Sequence, residues 1–255
     1  MDASAPEISL IIPAYNEEDR IGASLRSVSE FIDRYPRPVE VLIVDDGSRD
    51  KTAEVVSYFI EEFRPDSTFS LLSYGGNRGK GYAVAYGFRK ARGAYFVFSD
   101  TDLSAPIEQI PLLIEALETG ADLAIGSRRL TASRVEGLPL RRRVMGWLFA
   151  HLSSWILSLG YSDTQCGFKA YRREAAENLV AKQTIDGYTF DVEHLLWAKK
   201  LGLETVEVPV RWIYTEGSRV NGLSDSWKMF KDLFMLRKKA RGKDYANGSF
   251  LDPRF

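Results

Sequence analysis

Five predominantly apolar runs, at 8–12, 39–44, 69–73, 94–99 and 121–125, constrain this chain most, because each alternates with a segment of helical character. Ile21, Leu25, Val28 and Ile32 recur at helical spacing after the first run. Segments 52–63, 83–91 and 107–117 read as helices after the next three, the last with Pro106 near its start. A strand that is apolar on both faces must be covered on both, and intervening helices provide the cover. The pattern therefore predicts an α/β fold with a mostly parallel sheet. Ligands on such sheets bind outside the carboxyl ends of the strands. The polar signatures fall at those ends: Pro13-Ala14-Tyr15-Asn16-Glu17 after the first run, Asp45-Asp46-Gly47-Ser48 after the second, and Asp100-Thr101-Asp102 after the fourth.

The rhythm breaks after residue 126. Residues 138–160 are apolar and aromatic, with Arg141-Arg142-Arg143 at their front. Then come Asp163-Thr164-Gln165-Cys166-Gly167-Phe168-Lys169-Ala170-Tyr171, a helix near 191–200, a strand at 205–210 and a last helix at 224–239. Residues 241–255 read as a polar tail. No internal repeat, low-complexity tract or linker divides residues 1–240, which read as a single domain.

Composition narrows the function classes. The chain of 255 residues, 45% hydrophobic, is long enough for a substantial core. A net charge of −1 supplies no global field for nucleic acid, which is not expected as a partner. The single cysteine, Cys166, excludes an internal disulfide and a multi-cysteine zinc site, and fits a reducing compartment. His151 and His194 are the only histidines, too few for His-based metal or triad chemistry, and read as packing or surface residues. The amino-terminal segment has no signal-peptide pattern, and no apolar run approaches the roughly 18 residues that span a bilayer. The expectation is a cytoplasmic protein acting from the membrane surface.

Asp100 and Asp102, at i and i+2 where a buried strand ends, make an oxygen-rich corner suited to a hard divalent cation that also holds phosphate oxygens. Alone, the triplet is equally an acidic surface turn; the two strand-end sites before it add the weight. Tyr15 to Glu17 can contact a flat base and ribose, or form an ordinary turn capped by Asn16. Asp45 and Asp46 can accept hydrogen bonds from a base or a sugar, or belong to a turn in which Ser48 caps the next helix. Arg78 and Lys80 lie in the glycine-rich segment 75–81, which is not a Walker motif because Gly81 follows Lys80 and the glycine spacing fails.

These signatures, with Asn77-Arg78-Gly79-Lys80-Gly81, resemble in residue and order the inverting nucleotide-sugar glycosyltransferases of family 2, which have the GT-A fold. The segment Asp163 to Lys169, Phe190-Asp191-Val192-Glu193 and Glu216-Gly217-Ser218-Arg219 look like the dolichyl-phosphate β-glucosyltransferase branch, with polyprenyl-phosphate mannosyltransferases as neighbours. The resemblance covers about residues 7–240. It implies a Rossmann-like nucleotide-sugar half at 7–126 and an acceptor- and membrane-facing half at 127–240. Pro13, Ala14, Tyr15, Glu17 and Asp45 would line the nucleoside pocket, with Asp46, Lys80, Asp100 and Thr101 near it. Asp100 and Asp102 would hold Mg2+ or Mn2+.

The resemblance also implies an acceptor site. Arg128 in Gly126-Ser127-Arg128 matches an arginine that contacts the acceptor phosphate in the mannosyltransferases. Arg142 matches another, the run 141–143 leaving the register open, and the serine expected one turn later falls at Gly146. Arg219 stands where the branch has lysine, exchanging a point charge for a fork. Asp163 matches a carboxylate that acts as base or as sugar-positioning group. Asp163, Asp102 and Arg128 are thus the expected catalytic residues. Ser104 replaces a glutamine of some mannosyltransferases, which counts against mannose. Trp147, Phe149, Leu152, Trp155, Ile156 and Leu159 behind the arginines would form an interfacial surface, joined by the basic amphipathic stretch 227–239; a buried helix or a dimer contact is the plain alternative. The activity implied is transfer of glucose from UDP-glucose to a polyprenyl phosphate, peripherally at the cytoplasmic membrane face. A different donor such as GDP-mannose, a soluble or glycan acceptor, or a silent nucleotide-sugar-binding subunit are the alternatives. A homo-oligomer or a membrane partner subunit is left open.

Overall fold

A computed structural model describes residues 5–215 and 224–241; the side chains of Arg141, Arg142, 224–226 and 241 are outside that description. The apolar runs form β1 (Ile8–Ala14), β2 (Val39–Asp45), β3 (Phe69–Ser73), β4 (Tyr95–Ser99) and β5 (Leu123–Ser127). Between them lie α1 (Ile21–Arg34), α2 (Thr52–Phe63), α3 (Lys80–Lys90) and α4 (Ile110–Glu118), the last entered through a 3-10 turn at Ile107–Gln109. The boundaries follow the sequence pattern closely, except that α3 begins three residues earlier than the apolar periodicity indicates. Gly79 makes that start possible: its φ is +110°, and a Cβ there would collide with the Asp186 carbonyl.

The second half adds β6 (Arg134–Glu136), α5 (Leu140–Leu157), β7 (Phe168–Arg172), α6 (Arg173–Lys182), α7 (Phe190–Leu201), β8 (Thr205–Pro209), β9 (Arg211–Ile213) and α8 (Ser224–Arg241). Among the described residues the main sheet has the order β3-β2-β1-β4-β7-β5-β8, and β6 and β9 pair in a small second sheet. All main-sheet neighbours run parallel except β7, which is antiparallel to both β4 and β5. The pattern predicts neither β7 nor α6.

Side chains alternate across the sheet into two cores. Ile8, Leu10 and Ile12 pack with α1 and α4, whereas Ile11, Leu42, Val44, Phe96 and Phe98 pack with α3, α6 and α7. Placing β7 backwards has one main consequence for function: the segment leading into it, 163–167, arrives at the same edge as the carboxyl ends of β4 and β5.

Helix α5 buries only one stripe. Ile156 and Leu159 are in the core, so the expectation that they share a surface with the tryptophans is corrected. The exposed stripe is Val144, Met145, Trp147, Leu148 and Trp155. Leu233 and Leu236 of α8 are likewise buried while Trp227 and Phe234 are exposed, and α8 packs against α5. No helix among the described residues is long and apolar enough to cross a membrane.

Candidate active site

The strand order reverses around β1, whose neighbours are β2 and β4, and the crevice outside their carboxyl ends is where an α/β sheet takes its ligand. Asn16, just past β1, has φ 54°. Its N–H donates to Ser48 Oγ at 2.9 Å and its Oδ1 accepts the Arg49 N–H at 2.8 Å. These bonds tie the loop carrying Tyr15 to the loop after β2. Asp45 Oδ1 accepts the Ser48 N–H at 3.1 Å. The Thr101 hydroxyl donates to the Pro13 carbonyl at 2.6 Å, and the buried Ala14 carbonyl accepts the Asp46 N–H at 2.8 Å. Pro13, Ala14 and Thr101 are therefore held together by backbone carbonyls at the carboxyl ends of β1 and β4.

Asp46 is buried and its oxygens are occupied. They accept the Tyr74 hydroxyl at 2.9 Å, Asn77 Nδ2 at 2.9 Å, and the N–H groups of Arg78 at 2.7 Å and Gly79 at 2.8 Å. Burial raises its pKa and these donors act in the opposite direction. Asp46 thus builds the 77–79 loop. The Arg78 guanidinium stacks over the Tyr82 ring, 3.6 Å from its centroid. Glu17 is buried and paired with Arg20, one bond being 3.0 Å. Burial acts to lower the Arg20 pKa, but Glu17, Asp102 and Asp100 raise it overall, so this cation faces the carboxylate corner. Sequence reasoning missed Arg20; its signal was the Glu17-to-Arg20 spacing just ahead of α1.

At the corner itself, Asp100 Oδ1 lies 2.5 Å from Lys80 Nζ, at the first residue of α3. Burial alone would lower the Lys80 pKa; Asp100 first, then Asp191, raise it. Gly167 sits against Asp100, so closely that a Cβ would fall inside the carboxylate, and the Asp100 N–H donates to the Gly167 carbonyl at 3.1 Å. Asp102 Oδ1 accepts the Ser104 N–H at 3.0 Å. Among the described residues no three His, Cys, Asp or Glu side chains form a ready cation cage. The donor chemistry of Asp100 and Asp102 nonetheless fits a hard divalent cation that completes its shell with phosphate oxygens.

Beyond the corner stands Arg128, at the end of β5. Its backbone N–H, Nε and Nη2 donate to Asp163 at 3.0, 2.7 and 2.9 Å, and its guanidinium lies 5.6 Å from the Trp212 ring centroid. Asp163 is fully buried. Burial acts to raise its pKa, but Arg128 more than offsets this and holds it at about 2. Lys169, also fully buried, donates to Asp191 at 3.0 Å and to the Cys166 carbonyl at 2.6 Å. Asp191 borders the cavity and is raised by burial, with Lys169 and Lys80 opposing. Glu193 instead accepts from Thr184 and Ile185 and is structural.

One cavity of about 1520 Å³ joins these groups: Lys80, Asp100, Asp102, Arg128, Arg129 and Asp191 at one end, Arg143 and α5 residues including Trp147 and Trp155 at the other. Tyr15, Glu17 and Asp45 are outside its lining. Arg142 falls on α5 with its side chain undescribed, and Arg219 lies outside the described residues. Cys166 is buried with its thiol pushed up to about 12 by burial, as befits a small packing residue. His194 is buried, held down at about 3, and bonded to Gln183. His151 is exposed and stacks on Trp147.

The architecture is that of GT-A glycosyltransferases. Glucosyl-3-phosphoglycerate synthase from Mycobacterium tuberculosis with UDP superposes with a TM-score of 0.67 at 23% identity, covering 92% of this chain and 81% of that one. Its complex with Mn2+, UDP-glucose and phosphoglyceric acid gives 0.68 at 21%, with 92% and 80% covered. The family model for glycosyl transferase family 2 matches residues 9–180, and the chain belongs to that family and is a glycosyltransferase. Dolichyl-phosphate β-glucosyltransferase of Dictyostelium discoideum is 33% identical over 90% of this chain and 73% of its own length. The human and Saccharomyces cerevisiae proteins of that name are 29% and 32% identical, covering 92% and 90% of this chain and 76% and 74% of theirs.

Proposed function

We propose that this glycosyltransferase moves glucose from UDP-glucose to a polyprenyl phosphate of the dolichyl type, with inversion, giving a β-linked lipid-phosphate sugar and UDP. The observation that carries the reading is the continuity of the cavity. A carboxylate corner, a group of arginines and an apolar aromatic helix border a single space, which suits a diphosphate, a phosphate and a lipid tail in that order. The names of the similar proteins support the same acceptor.

In this reading Tyr15, Glu17 and Asp45 contact the nucleoside, beside Pro13, Ala14 and Thr101. Asp46 acts through the 77–79 loop, and Lys80 neutralises the corner. Asp100 and Asp102 would hold Mg2+ or Mn2+, which when bound would offset charge on the departing diphosphate. The solved relatives with Mn2+ and UDP-glucose support a metal of this kind. A phosphate monoester has its second ionisation near pH ~6, so the lipid phosphate oxygen is anionic at neutral pH. It attacks the anomeric carbon as the bond from that carbon to the UDP oxygen breaks, and no proton need be removed. This agrees with Asp163, which at about 2 is a weak base. Its role is to position Arg128, and Arg128 faces the acceptor phosphate. Residues 7–126 serve the donor and 127–240 the acceptor. The exposed stripe of α5 and the basic α8 rest on the cytoplasmic leaflet surface.

A second reading, a soluble phosphorylated acceptor, is favoured by the phosphoglyceric acid bound in the M. tuberculosis relative. The test is UDP release from UDP-glucose with Mn2+, with and without a short polyprenyl phosphate in detergent, using wild type and Asp102→Ala. Lipid-dependent release in wild type, lowered at least about a thousandfold in the variant, is expected. Release driven by phosphoglycerate and not by lipid would select the second reading, and normal turnover in Asp102→Ala would remove the metal assignment.

A further inference from the structure

Lys80 opens α3 and brings one ammonium to the carboxylate corner. Its Nζ lies 2.5 Å from Asp100 Oδ1, on the carboxylate whose chemistry, with that of Asp102, fits a divalent cation. The backbone that carries Lys80 is fixed on both sides. The Gly79 N–H donates to Asp46 at 2.8 Å. The Gly81 carbonyl accepts Gln183 Nε2 at 2.9 Å, and a Cβ on Gly81 would collide with Phe190 and with the Ile185 carbonyl. The side chain is held less firmly. It is 26% exposed, borders the cavity and passes over the Phe98 ring, with Nζ 5.1 Å from the centroid.

The Asp100 carboxylate has no such freedom. Gly167 lies against it so closely that a Cβ would fall inside the carboxylate, and the Asp100 N–H donates to the Gly167 carbonyl at 3.1 Å. A cation that takes Asp100 therefore meets Lys80 on a carboxylate that cannot turn away, and the flexible Lys80 side chain is the partner that moves. Two cations on one carboxylate repel at close range. The other carboxylate acting on this ammonium is Asp191, which already accepts Lys169 at 3.0 Å. Among the described residues a displaced Lys80 thus trades an ion pair of its own for a shared one. A diphosphate supplies the missing partner, since its oxygens accept an ammonium as a carboxylate does.

We infer that Lys80 contests Asp100 with the divalent cation, so that the corner takes the metal well only together with a diphosphate that accepts the Lys80 ammonium. This rests on the proposed donor reading and adds a coupling to it: Lys80 holds the corner against metal alone and pairs with the donor once both arrive. By linkage, the factor by which the diphosphate raises metal affinity is the factor by which the metal raises diphosphate affinity.

The experiment compares wild type with Lys80→Met, which removes the charge at similar length, and Lys80→Arg, which keeps it. It reads Mn2+ affinity from the electron paramagnetic resonance of the free ion, without nucleotide and with saturating UDP, and the thermal midpoint with and without Mn2+. Without UDP, Lys80→Met should bind Mn2+ about tenfold more tightly than wild type, and Mn2+ should raise its midpoint by more. Lys80→Arg should stay within about threefold of wild type, because a guanidinium also pairs with Asp100. With UDP the gain in Lys80→Met should vanish or reverse, since the diphosphate has lost a cation. Should Lys80→Met not fold, Lys80→Gln carries the same expectation. Equal Mn2+ affinity in wild type and the neutral variant without UDP overturns the inference. So does a gain that persists undiminished with UDP, which makes Lys80 a repelling charge and no partner of the diphosphate, or a lowered midpoint with weaker Mn2+ binding, which makes it structural. Wild type that binds no Mn2+ even with UDP overturns the donor reading and this inference with it; wild type that binds Mn2+ with UDP, beside a neutral variant with no gain without it, overturns the inference alone.

Discussion

The two sides of the site treat their charges in opposite ways. Around the carboxyl ends of β1, β2 and β4 the carboxylates have partners within the chain: Asp45 has Ser48, Asp46 has Tyr74, Asn77 and the 78–79 backbone, Glu17 has Arg20, and Asp100 has Lys80. Toward α5, Arg128 is paired with Asp163 but Arg129 is not paired. A polar group already satisfied shapes the backbone around it; an unsatisfied one is what a ligand meets. Asp46 and Asp102 differ in degree: both are aspartates at strand ends, but the first spends its oxygens on Tyr74 and the 77–79 loop, whereas the second accepts the Ser104 N–H and borders the cavity.

The largest effect that would sharpen this contrast is at the Arg128–Asp163 pair. Asp163→Ala leaves a largely buried guanidinium unpaired and should destabilise the protein by about 3–5 kcal/mol in urea unfolding. The double change Arg128→Met with Asp163→Leu should recover most of that stability while remaining inactive. Wild-type stability in Asp163→Ala would break the comparison. The sign of the pH dependence follows from the depressed value of about 2, against 3.8 for an ordinary aspartate. The pair's contribution to stability is complete above the ordinary value and is lost as pH falls from there through the folded value. Asp163 should therefore give no limb near neutrality in the pH–rate profile. An acidic limb at about pH 5–7 that disappears in Asp163→Asn would make it a base instead.

Next in size is Gly167→Ala. A Cβ there displaces the Asp100 carboxylate, so Mn2+-dependent binding of UDP-glucose should weaken by about tenfold to a hundredfold, with about 1–3 kcal/mol of stability lost to overpacking. Unchanged metal dependence would show that Asp100 is not needed at the corner. The smallest effect belongs to the outer face. Trp155 is 75% exposed, and Trp155→Ser should reduce binding to anionic vesicles by about tenfold or less while leaving the urea midpoint unchanged. Undiminished vesicle binding would move the membrane contact away from α5.

Much of this site was legible beforehand, and residue by residue the reasons are local. Asp45 and Asp46 stand at the end of β2, and Asp100 and Asp102 at the end of β4, so the apolar run that predicts each strand also predicts where its end and its carboxylates lie. Arg128 was legible only through the resemblance, which matches it to an arginine that contacts an acceptor phosphate. Ile156 and Leu159 were misassigned because their residue types suit an aromatic interface and a core equally; which stripe of α5 faces inward depends on what packs against it. The role of Asp46 was similarly hidden, since its donors come from Tyr74, Asn77, Arg78 and Gly79, far along the chain from it.

The sequence by itself determined the parallel half of the sheet, the crevice at its carboxyl edge and the acidic corner, because each rests on short-range alternation and on residues adjacent in the chain. The tertiary structure decided how the second half meets that corner. Phe168–Arg172 enters the sheet backwards between β4 and β5. That single reversal brings Gly167 against Asp100 and Asp163 against Arg128, and it leaves Arg129 beside them without a partner among the described residues. No local pattern specifies such a strand, since its direction follows from pairing with segments 44 or more residues away in sequence.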